Sequence, residues 1–216
     1  MSLKVDITGI RKEYSRQAFS EENADEDPIK QFSRWWDEAS ESQVDEANAM
    51  TLATCSLRAK PSARIVLLKG FSAEGFIFFT NYHSKKGKEL QENPQACLVF
   101  FWKELERQIR IEGTVQKITQ KESDEYFKVR PFQSRIGAYS SPQSQVIESR
   151  DFLENIFERN SRQFADGTVP RPLHWGGFIV KPELIEFWQG RPSRLHDRLQ
   201  YSKDDKGSWI MERLAP

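Results

Sequence analysis

The chain has 216 residues, 38% of them hydrophobic, with 32 Lys or Arg against 32 Asp or Glu, so its net charge is zero. That size suits one globular domain, 27–216, with at most an appended and partly mobile arm, 1–26. A general nucleic-acid binder carries a basic excess, so that class is disfavoured and any cationic site must be local.

No apolar run is long enough to span a bilayer, and no charged-then-apolar leader opens the chain. We therefore expect a soluble, cytoplasmic protein with no membrane partner. Cys55 and Cys97 lie far apart inside apolar segments and read as reduced core residues. Three histidines and two cysteines in no ligand-like spacing predict no metal site.

In chain order, the polar arm holds an acidic cluster from Glu21 to Asp27; Arg11 and Tyr14, three apart, read from spacing alone as an incidental surface turn. Asp27-Pro28 predicts an N-cap followed by proline at the first helical position. Ile29, Phe32, Trp35, Trp36 and Ala39 then recur at helical spacing. Strands are predicted over 50–55, 63–69, 75–80 and 96–102, with a short helix opened by Ser84 and closed before Pro94. Residues 106–118 alternate, with Ile109, Ile111 and Val115 on one face and Gln108, Arg110, Glu112 and Gln116 on the other. Thr119 and Glu122 form a capping box for a helix that runs to Arg130; Pro131 ends it and leaves Ser134 in a loop. Ser141-Pro142 predicts a long amphipathic helix to about Phe164, with Gln143 and Ser144 in its first turn. A strand over 178–180, a turn at Lys181-Pro182, a second apolar strand from Ile185 and a last strand over 209–214 complete the chain. Closely spaced strands with turns between them predict an antiparallel barrel or sandwich.

Several cations fall where an anion would sit. Arg64 and Lys69 bracket one strand, and Lys85 and Lys86 follow Ser84 at a helix N-terminus, where free N–H groups favour phosphate. Tyr126 and Arg130, four apart, face the same way, with Ser134 beyond. Arg194, His196 and Arg198 stand at every second position; an extended chain would put them on one face, either as edge protection or as an active site. There is no dinucleotide fingerprint, no Walker loop and no His-Glu-x-x-His.

Four stretches carry a resemblance: Arg64-Ile65-Val66-Leu67-Leu68-Lys69; Phe79-Thr80-Asn81-Tyr82-His83-Ser84-Lys85-Lys86; Trp175-Gly176-Gly177-Phe178; and Ile185 to Arg198 with the terminal Arg213-Leu214-Ala215-Pro216. Together they resemble the pyridoxine/pyridoxamine 5′-phosphate oxidase family. The resemblance implies a mainly β fold with flanking helices, the FMN-binding split β-barrel. It also implies a homodimer with FMN at the subunit interface. FMN contacts are implied for Arg64, Ile65, Val66, Leu67, Leu68, Lys69, Phe79, Thr80, Lys85, Lys86, Gln108, Gln143, Ser144, Trp188 and Arg198. Substrate phosphate contacts are implied for Lys69, Tyr126, Arg130 and Ser134, and contacts with the pyridine end for Arg194, Leu195 and His196. Of these, Arg194 and His196 are the implied catalytic pair, and Arg11 and Tyr14 match an element that covers bound substrate. Lys85 departs from the Arg of many relatives, keeping charge but losing the bidentate fork.

The activity implied is oxidation of pyridoxamine or pyridoxine 5′-phosphate to pyridoxal 5′-phosphate. Hydride passes from C4′ to flavin N5, O2 accepts the electrons as H2O2, and ammonia leaves when the substrate is the amine. Two alternatives stand beside it: a flavin-binding relative with another substrate on the same fold, and a non-enzymatic pyridoxal-phosphate module.

Overall fold

The structure, a computed structural model, describes Tyr14 and residues 18–216; Arg11 lies outside the described residues. Helix α1 (Pro28–Glu41) begins as its sequence predicts. The Asp27 carboxylate accepts from the Ile29 N–H at 2.8 Å, and Pro28 fills a position that needs no donor. Phe32, Trp35 and Ala39 of its apolar stripe are buried.

Strands β1 (Ala49–Cys55) and β2 (Pro61–Leu67) pair antiparallel, as do β3 (Gly70–Ser72) and β4 (Gly75–Asn81). The strand predicted over 63–69 therefore stops two residues early. Leu68 turns into the core and donates its N–H to the Asn48 carbonyl, and Lys69 donates to Ile77, which starts the next hairpin. Helix α2 (Lys85–Glu92) has the predicted Ser84 cap, whose Oγ accepts from the Gly87 N–H. Strands β5 (Gln95–Trp102) and β6 (Arg107–Lys117) follow, and Ile109, Ile111 and Val115 form the buried side of β6, as its alternation requires. Helix α3 (Gln120–Val129) shows the predicted Thr119–Glu122 capping box.

The next stretch departs from expectation. Pro131 ends α3 but also opens α4 (Phe132–Ser140), so Ser134 is helical and not in a loop. Proline suits both roles, since it lacks the N–H that a helix interior needs and a helix start does not. The long helix predicted from Pro142 begins only at Arg150: the cap is Ser149, whose Oγ accepts from Phe152, and α5 is Arg150–Gln163. Gln143 and Ser144 consequently lie in a turn, where Gln145 donates to Pro142 and Ser144 has φ +68°. Lys181-Pro182 is not a turn either; β7 runs unbroken over Trp175–Gln189. The alternating face predicted for Arg194, His196 and Arg198 does not form. Pro192–Arg194 make a short 3-10 turn with Ser193 and Arg194 at φ 57° and 61°, and β8 (Asp197–Lys203) starts only beyond His196. Strand β9 (Trp209–Arg213) is the last.

The fold is mainly antiparallel β with flanking helices, as expected. The chain separates into two compact units. In the first, Asn48–Val99 with Ile111–Glu183, the strand order is β2-β1-β5-β6-β7-β4-β3. Its core includes Leu52, Phe76, Phe78, Leu98, Ile111 and Phe178, and a second cluster joins Phe127, Ile136, Phe164, Val169 and Trp175. The second unit comprises the chain up to Ala47, Phe100–Arg110 and Leu184–Pro216. Here β8 pairs with the Leu184–Gln189 part of β7 and with β9. Edge-to-face aromatic pairs build its core: Trp35 on Phe187 at 5.2 Å, Phe32 on Phe100 at 5.4 Å and Phe187 on Tyr201 at 5.6 Å.

Gly113 tests the packing of the first unit. A Cβ there would lie well inside contact distance of the Lys181 carbonyl and of Pro182 Cα, both backbone and unable to swing away. Gly113→Ala is expected to destabilise by about 2 kcal/mol or more, read as a lower urea midpoint at unchanged slope.

Candidate functional site

A cavity of about 500 Å3 opens in the first unit, within the range of roughly 300–1,000 Å3 usual for small-molecule sites. Its walls come from six places in the sequence. The end of β2 and the residues beyond it give Ile65, Val66, Leu67 and Lys69; β4 gives Phe79, Thr80 and Asn81; α2 gives Lys86. The end of α3 gives Tyr126 and Arg130, and α4 with the following turn gives Ser134, Ser141 and Gln143. Trp175 at the start of β7 also lines it.

Two sets of polar groups meet these walls. In one, Lys86 Nζ donates to Thr80 Oγ1 at 3.3 Å and to Gln143 Oε1 at 3.4 Å, and Thr80 Oγ1 donates to the same Gln143 oxygen at 3.2 Å. Burial lowers the Lys86 pKa, and the positive charge of Arg64 lowers it further. In the other, Tyr126 stacks on Phe79 at 3.9 Å and 20°, Phe79 stacks on Trp175 at 5.4 Å and 13°, and the Arg130 guanidinium sits 4.5 Å over Trp175. Burial lowers the Arg130 pKa, with Tyr126 opposing. Arg130 Nη1 is buried and has no acceptor within the protein. A buried guanidinium N–H without an acceptor is costly, and an anion entering the cavity would supply one.

The sequence-predicted residues thus divide. Ile65, Val66, Leu67, Lys69, Phe79, Thr80, Lys86, Tyr126, Arg130, Ser134 and Gln143 line one cavity. Leu68 faces the core, Ser144 is exposed in its turn, and Lys85 is 65% exposed, 3.9 Å from Glu89. Arg64 lies on the same face of β2 as Val66, and its guanidinium contacts Leu52, Thr54, Ser62 and Glu89.

Gln108, Trp188, Arg194, Leu195, His196, Arg198 and Tyr14 belong to the second unit. Three of their rings cluster: Tyr14 meets Trp188 at 5.6 Å and His196 at 5.8 Å, and Trp188 meets His196 at 4.6 Å. Gly190 makes room for this, because a Cβ there would press on the Tyr14 ring. The backbone N–H of Arg191 donates to His196 Nδ1 at 3.1 Å. Burial and then the Arg194 charge lower the His196 pKa. The imidazole is therefore neutral at pH 7, and with Nδ1 accepting, the ring proton sits on Nε2. Arg194 and Leu195 are exposed, and Gln108 is half-buried on β6.

Sequence reasoning missed the group that holds Arg198. Glu186, 2% exposed, accepts from Arg198 Nε at 2.7 Å through Oε1 and from Arg110 Nη2 at 2.6 Å through Oε2. Arg198 Nη1 also donates to the Ala215 carbonyl at 2.8 Å, and its own carbonyl accepts from Leu214, which fixes the end of the chain. Its signal was a lone acid inside the apolar run Ile185-Glu186-Phe187-Trp188. Burial alone raises the Glu186 pKa, but hydrogen bonds and charges from Arg198 and Arg110 outweigh it and hold the carboxyl below its ordinary 4.5. A depressed folded-state pKa gives stability that is present above the unfolded value and lost as pH falls through the folded one. Glu186→Gln should therefore cost about 3 kcal/mol at pH 7. Its deficit against the parent should shrink as unfolding is measured at pH values progressively below 4.5.

Comparison with known proteins bears on this arrangement. A family model described as pyridoxamine 5′-phosphate oxidase matches residues 36–161, and one described as the pyridoxine 5′-phosphate oxidase C-terminal dimerisation region matches residues 175–216. The pyridoxine/pyridoxamine 5′-phosphate oxidase of Microcystis aeruginosa is 54% identical over 214 residues, covering 99% of this chain and 100% of the relative. That of Salinibacter ruber is 52% identical over 212 residues, covering 97% and 99%. Among solved structures, PhzG from Burkholderia lata in complex with tetrahydrophenazine-1-carboxylic acid is 30% identical at a TM-score of 0.87, covering 93% of this chain and 98% of that one. A pyridoxamine 5′-phosphate oxidase-related, FMN-binding protein from Nostoc punctiforme shares the fold at 17% identity and a TM-score of 0.70, covering 88% and 98%. The fold class is thus the expected split barrel of FMN-binding proteins, and the chain belongs to the pyridoxine/pyridoxamine 5′-phosphate oxidase family.

Proposed function

We propose that this chain oxidises pyridoxamine 5′-phosphate and pyridoxine 5′-phosphate to pyridoxal 5′-phosphate, with FMN as cofactor and O2 as acceptor. It would work in the cytoplasm as a homodimer with FMN at the interface. The observation that carries the reading is the convergence of Lys69, Tyr126, Arg130 and Ser134 with Thr80, Lys86 and Gln143 on one cavity. Aromatic and aliphatic walls suit flat rings, and two sets of cationic and hydroxyl groups suit two phosphates. The acceptorless Nη1 of Arg130 fits an anionic ligand.

FMN, when bound, would supply the acceptor for the hydride leaving substrate C4′ and the route by which the electrons reach O2, giving H2O2. Its binding groups would be Arg64 to Lys69, Phe79, Thr80, Lys85, Lys86, Gln108, Gln143, Ser144, Trp188 and Arg198. The chain's own task is orientation, since hydride transfer needs the donor carbon held against its acceptor. Lys69 and Arg130 grip the substrate phosphate by charge, and Tyr126 and Ser134 add hydroxyl hydrogen bonds. At the pyridine end, Arg194 stabilises the phenolate-like oxygen. His196, neutral with its proton on Nε2, donates a hydrogen bond there and holds a proton for relay; Leu195 packs beside them, and Tyr14 with Arg11 covers the bound substrate.

Three measurements test this. The purified protein should be yellow and should bleach on anaerobic addition of pyridoxamine 5′-phosphate; a protein that takes up no FMN overturns the reading. Arg130→Ala should raise KM roughly 10- to 100-fold with kcat little changed, the value of a charge-assisted hydrogen bond. A loss confined to kcat would remove Arg130 from the phosphate site. The acid limb of kcat/KM should fall below 6.5, the ordinary histidine value, because His196 titrates lower, and it should vanish in His196→Asn.

A further inference from the structure

Arg64 is held by a closed ring of hydrogen bonds that the reading above does not use. Its Nη1 donates to Thr54 Oγ1 at 2.6 Å, and its Nη2 donates to Ser62 Oγ at 2.5 Å. Each hydroxyl in turn donates its one proton to the same oxygen of Glu89, Oε2, at 2.6 Å. Nη2 reaches that oxygen directly at 3.4 Å, and Nη1 also meets the Leu52 carbonyl at 3.1 Å.

The direction of the ring is fixed by chemistry. A guanidinium can only donate, so both hydroxyls must accept from it, and their protons then need an acceptor. An ionised carboxylate is acceptor-only and takes both on one oxygen. Glu89 is 6% exposed and its pKa is lowered: burial raises it, and the hydrogen bonds from Ser62 and Thr54, with the charges of Lys85 and Arg64, more than reverse that. From α2 the carboxylate reaches across to β1 and β2 and gathers two hydroxyls around one guanidinium. Arg64 stands on the same face of β2 as Val66, which lines the cavity, and its charge is felt by Lys86 on the same wall. Two cations kept within reach of each other cost energy in the free protein, and a phosphate between them would repay that cost.

We propose that Glu89 is a positioning residue for the phosphate end of the FMN site, fixing the Arg64 guanidinium through the Thr54 and Ser62 hydroxyls so that Arg64 and Lys86 act on one anion. The proposal rests on the reading of the cavity as the FMN site. It assigns Glu89 no contact with the cofactor and no chemical step.

The test is a double-mutant cycle read as the FMN dissociation constant, from quenching of flavin fluorescence, with riboflavin as the ligand that lacks the phosphate. Glu89→Ala should weaken FMN binding roughly tenfold and leave riboflavin binding unmoved. In an Arg64→Met background the same change should add no further loss. Glu89→Gln keeps a carbonyl acceptor for both hydroxyls and should recover most of the affinity. Should Glu89→Ala fold poorly, Ser62→Ala on β2 opens the same ring and should show a smaller, Arg64-dependent loss. Equal losses in both backgrounds, or equal losses for FMN and riboflavin, would show a role in the fold alone and overturn the proposal. An Arg64→Met protein that binds FMN as the parent does overturns it while leaving the FMN reading intact. A parent protein that binds no FMN overturns both.

Discussion

A charge taken out of water must find an opposite charge or a set of hydrogen bonds, and each unit of this protein meets that demand with a buried carboxylate. In the second unit Glu186 sits between Arg110 and Arg198. In the first, Glu89 gathers Thr54, Ser62 and Arg64. Neither acid lines the cavity described above. Each holds an arginine that the family resemblance assigns to the flavin. An arginine left to solvent samples many rotamers, and freezing it on ligand binding costs about 2 kcal/mol of side-chain entropy. Fixing it beforehand moves that cost into folding, where the carboxylate offsets it.

The regular elements were legible because their signals are local. The Asp27-Pro28 start of α1, the Thr119–Glu122 box of α3 and the alternation of β6 each involve a few neighbouring residues, and each formed as read. The misreadings fell where one residue type serves two purposes. Pro131 both stops α3 and starts α4. Ser141 and Ser149 are both plausible caps before a helical stretch, and Ser149 is the one that captures the first-turn N–H. Lys181-Pro182 has turn composition, yet the pairing of β7 with β4 before it and with β8 after it carries the strand straight through. Ser193 and Arg194 adopt positive φ, which no polar periodicity announces for residues other than glycine or asparagine.

The site was less legible than the fold. Spacing alone joins Tyr126 to Arg130; nothing local joins them to Lys69, Thr80 or Gln143, which meet only when distant strands and a turn come together. Motif resemblance bridged that gap for residues thought to touch ligand. It was silent on Glu89, which reads as one more charge on an amphipathic helix, four residues after Lys85. A carboxylate's role is fixed by what surrounds it, and here its partners Thr54 and Ser62 lie 35 and 27 residues upstream.

The cations at the cavity also differ in kind. Arg130 stays charged at any accessible pH, so its attraction for an anion is constant. Lys86 does not have that guarantee: burial and the neighbouring Arg64 both push its pKa down. An anion bound against it must raise that pKa again, because it favours the protonated form. Proton binding and anion binding at this wall are therefore linked, each strengthening the other by the same free energy. The consequence runs through Arg64. Brought closer, it strengthens the pull on a phosphate directly but makes Lys86 easier to deprotonate; allowed to drift, it does the reverse. With a phosphate held between the two, the position of this guanidinium would set a balance between anion affinity and the alkaline limit of that affinity; here the side chain is held by the Thr54, Ser62 and Glu89 ring.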